Sequence, residues 1–464
     1  MNTSIRHHDV VILGGGTAGT IAAIAAARNG ADTLLIERCG SLGGISTGGM
    51  LNFYNSFHSF TGERVIGGIP WEIVEKLVEM HATPGPATDY SGLTGSLVIY
   101  NQKLLELLLF DLVERSGAKM LLRSYLFDVL RDGDRLQGVS VVNKSGRMIV
   151  TGDAFVDATG DADAVALAGA PFEKTERGRT QPVTLEIRVG GVKTEKVRQY
   201  IYDHPEQFEL EMIEPKEIFE QKYLVQWCVG IPSLQKYDEE GKLKYGLTHN
   251  QIWFNTHEPE ASRGIFTLNA TRVADVDGTD ADDLTRAEID SRKQIPILLI
   301  YFRGNIPGFE DAYLLDMASQ MGVRETRRIQ GDYTITREDV VEGRDQPDSI
   351  ARAVSQIDIH GSNADRGKFF WTKLDKSELA KRKFSYAIPY RALLPQGLEN
   401  VIVAGRPIST TREAHGSVRF MPPCMATGEA AGAAAALCVK AGCGFRGLDI
   451  GALQETLRKE GAIL

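Results

Sequence analysis

The sequence predicts an α/β fold in which a Rossmann-like dinucleotide-binding domain, carrying a β-meander crossover, is joined to a second, mixed α+β domain. Three observations predict it. At the N-terminus, DVVILGGGTAGTIAAIAAARNGADTLLIE (9–37) places a short apolar run, a G-x-G-x-x-G turn and an alanine-rich stretch in order, which reads as strand, turn and helix. Over 120–157 the pattern changes to three β-rich runs separated by two short turns. Near the C-terminus an apolar strand run at 401–404 and an alanine-rich helix restore the α/β rhythm that the middle of the chain lacks. The divisions expected from this are 1–170 and 391–464 for the nucleotide domain and 171–390 for the second domain.

Each element has a local reason. Gly14 permits the turn after the first strand, Gly16 leaves room for a pyrophosphate, and Gly19 lets the helix over 18–28 pack closely on the strand. The helix start offers free N–H groups and a positive dipole end. Asn29-Gly30 ends that helix, and Glu37 closes the next apolar run about twenty residues after the first glycine, where a carboxylate accepts the hydroxyls of an adenosine ribose. Gly442, Gly444 and Gly447 repeat the glycine spacing without a preceding strand and read as a loop. The loop RCGSLGGISTGGM (38–50) carries Gly43, Gly44, Ser46 and Thr47, and its glycines suit a backbone lying against a flat ligand. Helices follow over 69–80, opened by Pro70, and 101–115, closed by Ser116-Gly117. The meander then delivers Asp157, Ala158, Thr159, Gly160 and Asp161 back to the dinucleotide.

Composition narrows the function classes. A chain of 464 residues is long for one core, so two domains are expected. A net charge of −9 without a Lys/Arg cluster argues against a nucleic-acid surface. The N-terminus passes into the first strand without the pattern of a secretory signal, and no apolar run approaches the ~20 residues of a membrane span. A soluble cytoplasmic protein, monomeric or homo-oligomeric, is the expectation. Cys39, Cys228, Cys424, Cys438 and Cys443 include no C-x-x-C pair, which argues against a dithiol redox centre.

The middle of the chain supplies candidates rather than a pattern. DVDGTDADD (275–283) fails the offsets of a calcium loop and reads as the acid-capped start of the helix that follows, so no metal is expected. GVRETRRIQGDYTIT (322–336) gathers Arg324, Arg327 and Arg328 near Glu325, either as an anion clamp or as a surface salt-bridge set. His360 stands in the loop DIHG. At the C-terminal side, Gly405-Arg406 ends a buried-type strand where open α/β sheets bind ligands. The loop PISTTREAHGSVRFMPP (407–423) leads into a helix starting near Cys424, with Gly428 and Gly432 small enough for something to pack against.

Together these stretches, GGGTAG with Glu37, SLGGIST, VDATGDAD, RETRRIQGDYTIT, DIHG and NVIVAGRPIST…HGSVRFMPPCMATGEAAG, resemble the FAD-dependent oxidoreductases of the broad glutathione-reductase fold class. The resemblance covers nearly the whole chain. More distantly, His415-Gly416-x-x-Arg419 is similar to a loop of the fumarate reductase and succinate dehydrogenase flavoproteins. The resemblance implies a glutathione-reductase-type FAD domain, with Gly14, Gly16 and Gly19 at the pyrophosphate and Glu37 at the ribose. Gly43, Gly44, Ser46 and Thr47 would lie along the ribityl chain and ring, Thr159, Gly160 and Asp161 near the adenine half, and Gly405 and Arg406 at the phosphates or ribitol. Gly428 would help aim the last long helix at the flavin, and Thr17, Ala18, Arg38 and Phe127 complete the implied cofactor set.

A flavin carries the electronic chemistry, so the protein has to hold a substrate carbon and manage a proton. His415, with an ordinary pKa near 6.5, is the expected general base or donor, and Arg419 the expected orienting group for an anionic or hydroxylated substrate. Arg324 and His360 are further catalytic candidates. The activity expected is hydride transfer between flavin N5 and a small polar organic substrate, with an electron acceptor or donor that the sequence does not name. A reductase of an unsaturated acid, a flavin monooxygenase and a non-catalytic FAD-binding scaffold are the alternatives. FAD is expected to be non-covalent, although Cys39, His58 and Cys424 lie in segments able to approach it.

Overall fold

The strand Ser4–Leu13 is an inner member of a seven-stranded sheet and pairs in parallel with Thr33–Ile36 on one side and Gly146–Asp157 on the other. The description comes from a computed structural model and covers residues 4–89, 91–208, 210, 213–228, 236–237, 239–242, 252–361, 370–371 and 384–464. Lys119–Leu121 extends the sheet beyond Thr33–Ile36. The inner strands read as unbroken apolar runs because helices cover both faces: Val10, Val11, Ile12, Leu35 and Ile402 are fully buried.

The strand Gly146–Asp157 serves two partners in turn. Its first half pairs antiparallel with Arg135–Asn143, which pairs with Tyr125–Asp132, and this is the expected meander. Its second half, from Phe155, pairs in parallel with Val401–Val403. The C-terminal segment thereby lies beside the N-terminal one, and their strand ends open on the same side of the sheet.

Helix Thr17–Arg28 packs on helix Met421–Ala441 with almost no space between backbones. A Cβ at Gly428 would lie 2.2 Å from Ala18 O, and one at Gly432 would lie 2.2 Å from Ala22 O. Glycine and alanine, each at a four-residue spacing, face one another and let the helices touch. Gly428 is therefore a helix-packing position. Cys424 and Met421, one and two turns nearer the helix start, line the cavity instead.

A second core is built on a five-stranded antiparallel sheet in the order Tyr223–Cys228, Ile252–His257, Phe266–Asn269, Ile187–Gly190, Tyr313–Met317. Trp253, Phe254, Phe266, Phe302 and Phe309 fill it. Helix Ala281–Asn305 lays Ile295, Leu298, Tyr301 and Phe302 on that core. Asp280 caps the helix by accepting from Asp283 N at 2.9 Å, so the acidic stretch does start a helix. The helix continues through Pro296, well past the 284–294 stretch read from sequence. Ile329, Ile350, Tyr386 and Tyr390, which the sequence groups with the second domain, pack instead into the first core. Among the described residues no helix is long and apolar enough to cross a membrane.

Candidate active site

The turn after the first strand is shaped by contact. Gly14 has φ +96°, and a Cβ there would lie 2.5 Å from Ala158 O, where the two parallel strands end together. No side chain fits that junction. Gly15 N donates to Glu37 Oε2 at 2.5 Å and Cys39 N donates to Glu37 Oε1 at 2.7 Å, so backbone amides fix a carboxylate that faces the cavity. Thr17 Oγ1 donates to Gly43 O at 3.1 Å and ties the glycine-rich loop to the helix start. A Cβ added at Gly16 would meet nothing within 4 Å, which leaves an open cradle at the helix N-terminus.

This cradle is one end of a cavity of about 580 Å³, within the range of ligand sites. Gly14, Gly16, Thr17, Ala18, Glu37 and Arg38 line that end. Gly44, Thr159, Gly160, Asp161, Gly405 and Arg406 line its flank. Asp157 accepts from Thr159 N and Val165 N and so holds the loop after its strand. Arg406 Nε donates to Gly160 O at 2.8 Å, and its guanidinium pairs with Asp161.

The other end is charged. Arg419 Nη2 donates to Asp358 Oδ2 at 2.8 Å and to Asp358 O at 3.0 Å. His360 Nε2 lies 3.5 Å from the same carboxylate. Burial pushes His360 down to about 4, more than Asp358 raises it, so the imidazole is neutral near pH 7. Burial would raise the Asp358 carboxyl, but its neighbours hold it well below the usual carboxylate range. With His360 uncharged, the Asp358 charge is paired with Arg419, and Arg324 adds only a longer-range attraction. Arg324 Nη1 donates to Pro182 O at 2.5 Å and to Thr184 Oγ1 at 2.9 Å. Burial, Arg272 and Arg419 all oppose its charge, yet a guanidinium does not deprotonate in a protein. Glu186 also lines this end, and burial pushes its carboxyl up to about 8 against the pull of Arg272 and Arg324.

Arg324, His360 and Arg419 are thus brought together, and His415 is not with them. Its ring is fully buried in helix Arg412–Val418 and outside the cavity lining. Burial, then Arg328, Arg419 and Arg406, hold it well below its ordinary pKa. Arg419, at the C-cap just past the helix, lines the cavity, while His415 one turn earlier stays enclosed. Arg327 and Arg328 brace neighbouring segments, Arg327 on Asp163 and Arg328 on Thr410 O.

Several expected cofactor positions act one layer back. A Cβ at Gly19 would meet Gly14 O, so this glycine packs the helix on the turn. Ser46 and Thr47 are buried and donate to Gly43 O and Leu42 O, which shapes the loop that Gly43 opens in a left-handed conformation. Phe127 stands on the meander, 60% exposed and off the cavity, on an outer strand most of whose residues face solvent. Cys39 and Cys424 line the cavity, but burial pushes the Cys424 thiol up to about 12, which withholds the thiolate. His58 bonds Ser96 instead and is outside the lining. Away from the cavity, His7, Asp9 and Asp153 bring possible ligand atoms within 4.8 Å of one another at the sheet's exposed end, as surface acids commonly do without an ion.

Sequence reasoning did not single out Glu186, Arg272 or Asp358. Asp358 had a signal, since it stands two residues before His360. Glu186 and Arg272 had none, because they meet Arg324 only across the second sheet.

The strand, glycine turn, helix and strand-end carboxylate define a dinucleotide-binding protein of the Rossmann type in a mixed α/β fold. The chain belongs to the FAD dependent oxidoreductase family, whose model matches residues 9–457. It is an enzyme whose cofactor is FAD. Among solved structures it is similar to a geranylgeranyl bacteriochlorophyll reductase-like protein from Thermoplasma acidophilum, at 11% identity, 99% of this chain, 85% of that chain and a TM-score of 0.48. It is also similar to a flavin-dependent brominase (13% identity, 98% and 83% coverage, TM-score 0.46). A third is p-nitrophenol 4-monooxygenase from Pseudomonas putida DLL-E4 (10% identity, 98% and 84% coverage, TM-score 0.46). The residues present fit FAD on their own terms: open space stands over Gly16, and the Glu37 carboxylate is aimed by two amides into the same cavity.

Proposed function

We propose that this protein is an FAD-dependent dehydrogenase that exchanges a hydride with a small polar organic substrate. The observation that carries the reading is the single cavity that runs from the Gly16 cradle and Glu37 to Arg324, Arg419 and His360. FAD, when bound, supplies a two-electron acceptor that the side chains lack. Gly14, Gly16, Glu37, Gly44, Gly160 and Arg406 are the residues that would hold it.

The other end of the cavity orients the substrate. Asp358 fixes the Arg419 guanidinium, and Pro182 O and Thr184 Oγ1 fix that of Arg324, so both present their charge without reorganising. Leu93, Leu97 and Trp253 give this end apolar walls that exclude water and strengthen those charges. The proton that accompanies the transfer has two cavity-lining groups to use, His360 and Glu186, in place of the enclosed His415. A tightly bound nicotinamide reductant has no second strand, glycine turn and helix to hold it among the described residues.

The test is anaerobic. The FAD-loaded protein is mixed with a panel of polyols, hydroxy acids, saturated acids and sugars while the flavin absorbance is followed. Bleaching by one class supports the dehydrogenase reading. Bleaching by NADPH alone, with none from any metabolite, would sink it in favour of a monooxygenase.

A further inference from the structure

We propose that the substrate is a small carboxylate, with its carboxylate seated on the Nε–Nη2 edge of Arg324 and a second oxygen bonded to Glu186. This rests on the dehydrogenase reading and gives its substrate a chemical class. The first support is geometric. The two hydrogen bonds of Arg324 both come from Nη1 and both end on neutral oxygens, which fixes the guanidinium plane and leaves Nε and Nη2 without a hydrogen bond among the described residues, on a side chain that lines the cavity. Among the described residues it has no ion-pair partner. Asp358 is taken by Arg419, and the other neighbouring guanidinium, Arg272, carries the same charge. A planar edge with two parallel donors and an unmatched positive charge fits one carboxylate. A neutral alcohol would leave the charge unmatched.

The second support is Glu186. Its side chain lines the same cavity, the residue is only 3% exposed, and Oε2 is enclosed without a hydrogen bond. A buried acid of this kind is matched by a ligand oxygen at donor distance. Arg272 and Arg324 face it, Tyr100 is electrostatically coupled to it, and Asp358, His360 and Arg419 line the cavity with it. The backbone around it is fixed by Leu185 N to Thr271 Oγ1 at 2.7 Å and Ala318 N to Glu186 O at 2.9 Å. An anion on Arg324 cancels part of the positive field on Glu186 and raises its affinity for a proton. Carboxylate binding above the Glu186 pKa of about 8 should therefore take up a proton.

Calorimetric titration of the FAD-loaded protein tests both contacts, with acetate, glycolate and succinate set against chloride, phosphate and glycerol. At least one carboxylate should bind more tightly than every control. Arg324→Gln should weaken it about tenfold or more while FAD content stays at the wild-type level. Titrations at about pH 9 in two buffers of different ionisation enthalpy should show proton uptake in the wild type and none in Glu186→Gln. The isosteric Glu186→Gln keeps the packing, so its melting profile separates a lost proton site from a lost fold. Glycerol or an inorganic anion binding as tightly as the best carboxylate would overturn the inference, as would an Arg324→Gln protein of unchanged affinity. So would persistent proton uptake in Glu186→Gln. A neutral alcohol that bleaches the flavin equally in wild type and Arg324→Gln refutes the carboxylate and leaves the dehydrogenase standing. Tight carboxylate binding with no flavin reduction by any metabolite does the reverse.

Discussion

Gly428→Ala isolates the contact between the two long helices. The added Cβ would lie 2.2 Å from Ala18 O and 2.9 Å from Ala18 C, where ordinary contact begins near 3.4 Å. The helices must part by roughly 1 Å, because the opposing atoms are backbone and cannot rotate aside. Overpacking costs ~1–3 kcal/mol, and a backbone clash belongs at the upper end. Alanine returns ~1 kcal/mol of helix propensity over glycine, so the net loss is about 2 kcal/mol. For units of 150–250 residues each kcal/mol moves the midpoint by about 2–4 °C, which gives a fall of about 4–8 °C. Thermal unfolding followed by circular dichroism, with and without FAD, reads it. The FAD-free protein must also melt early, since the clash is between helices. A Gly428→Ala protein that melts normally without FAD and loses only cofactor affinity would refute this and restore the reading of Gly428 as a flavin contact.

Three further outcomes follow from the same structure. Glu37→Gln should weaken FAD by about tenfold to a hundredfold in a fluorescence titration, as a charged acceptor becomes neutral. Stability should decline between about pH 6.5 and 8.5, because the folded-state pKa values of Glu186 and Glu429 are both raised to about 8 and each acid binds its proton more tightly folded than unfolded. That stability is fully present below the unfolded carboxylate pKa and is lost as pH rises through 8, so Glu186→Gln should flatten the decline in melts across that window. Between about pH 4.5 and 6.5 the decline should level off, because neutral His360 and His415 lose stability on acidification while the two acids still gain it. Phe127→Ala should leave FAD affinity within about twofold of wild type in the same titration, since an exposed side chain off the cavity contributes little.

The nucleotide end was legible because its parts are neighbours in sequence. A strand, three glycines, a helix and Glu37 fall within thirty residues, and each has a stereochemical reason to be what it is. The charged end of the cavity was legible only in fragments. Arg324 reaches Thr184 across 140 residues, and Glu186 meets Arg272 only because two strands of the second sheet lie side by side. No spacing rule encodes such meetings. His415 shows the opposite difficulty: the motif was visible, but only the packing around helix Arg412–Val418 encloses the histidine and leaves Arg419, at the helix end, on the cavity. Gly428 was visible too, as a small residue, and only the facing Ala18 revealed what its smallness serves.

Gly16→Val tests most directly the claim that FAD lies in the cradle at the first helix. Gly16 has φ −72°, which any residue adopts, and nothing in the chain lies within 4 Å of a Cβ placed there. The valine should fold without strain and fill only the space reserved for the pyrophosphate. The expected product is a FAD-free protein that melts at the wild-type temperature and binds FAD at least about a hundredfold more weakly. A Gly16→Val protein that is yellow when purified and holds FAD as tightly as the wild type would contradict it.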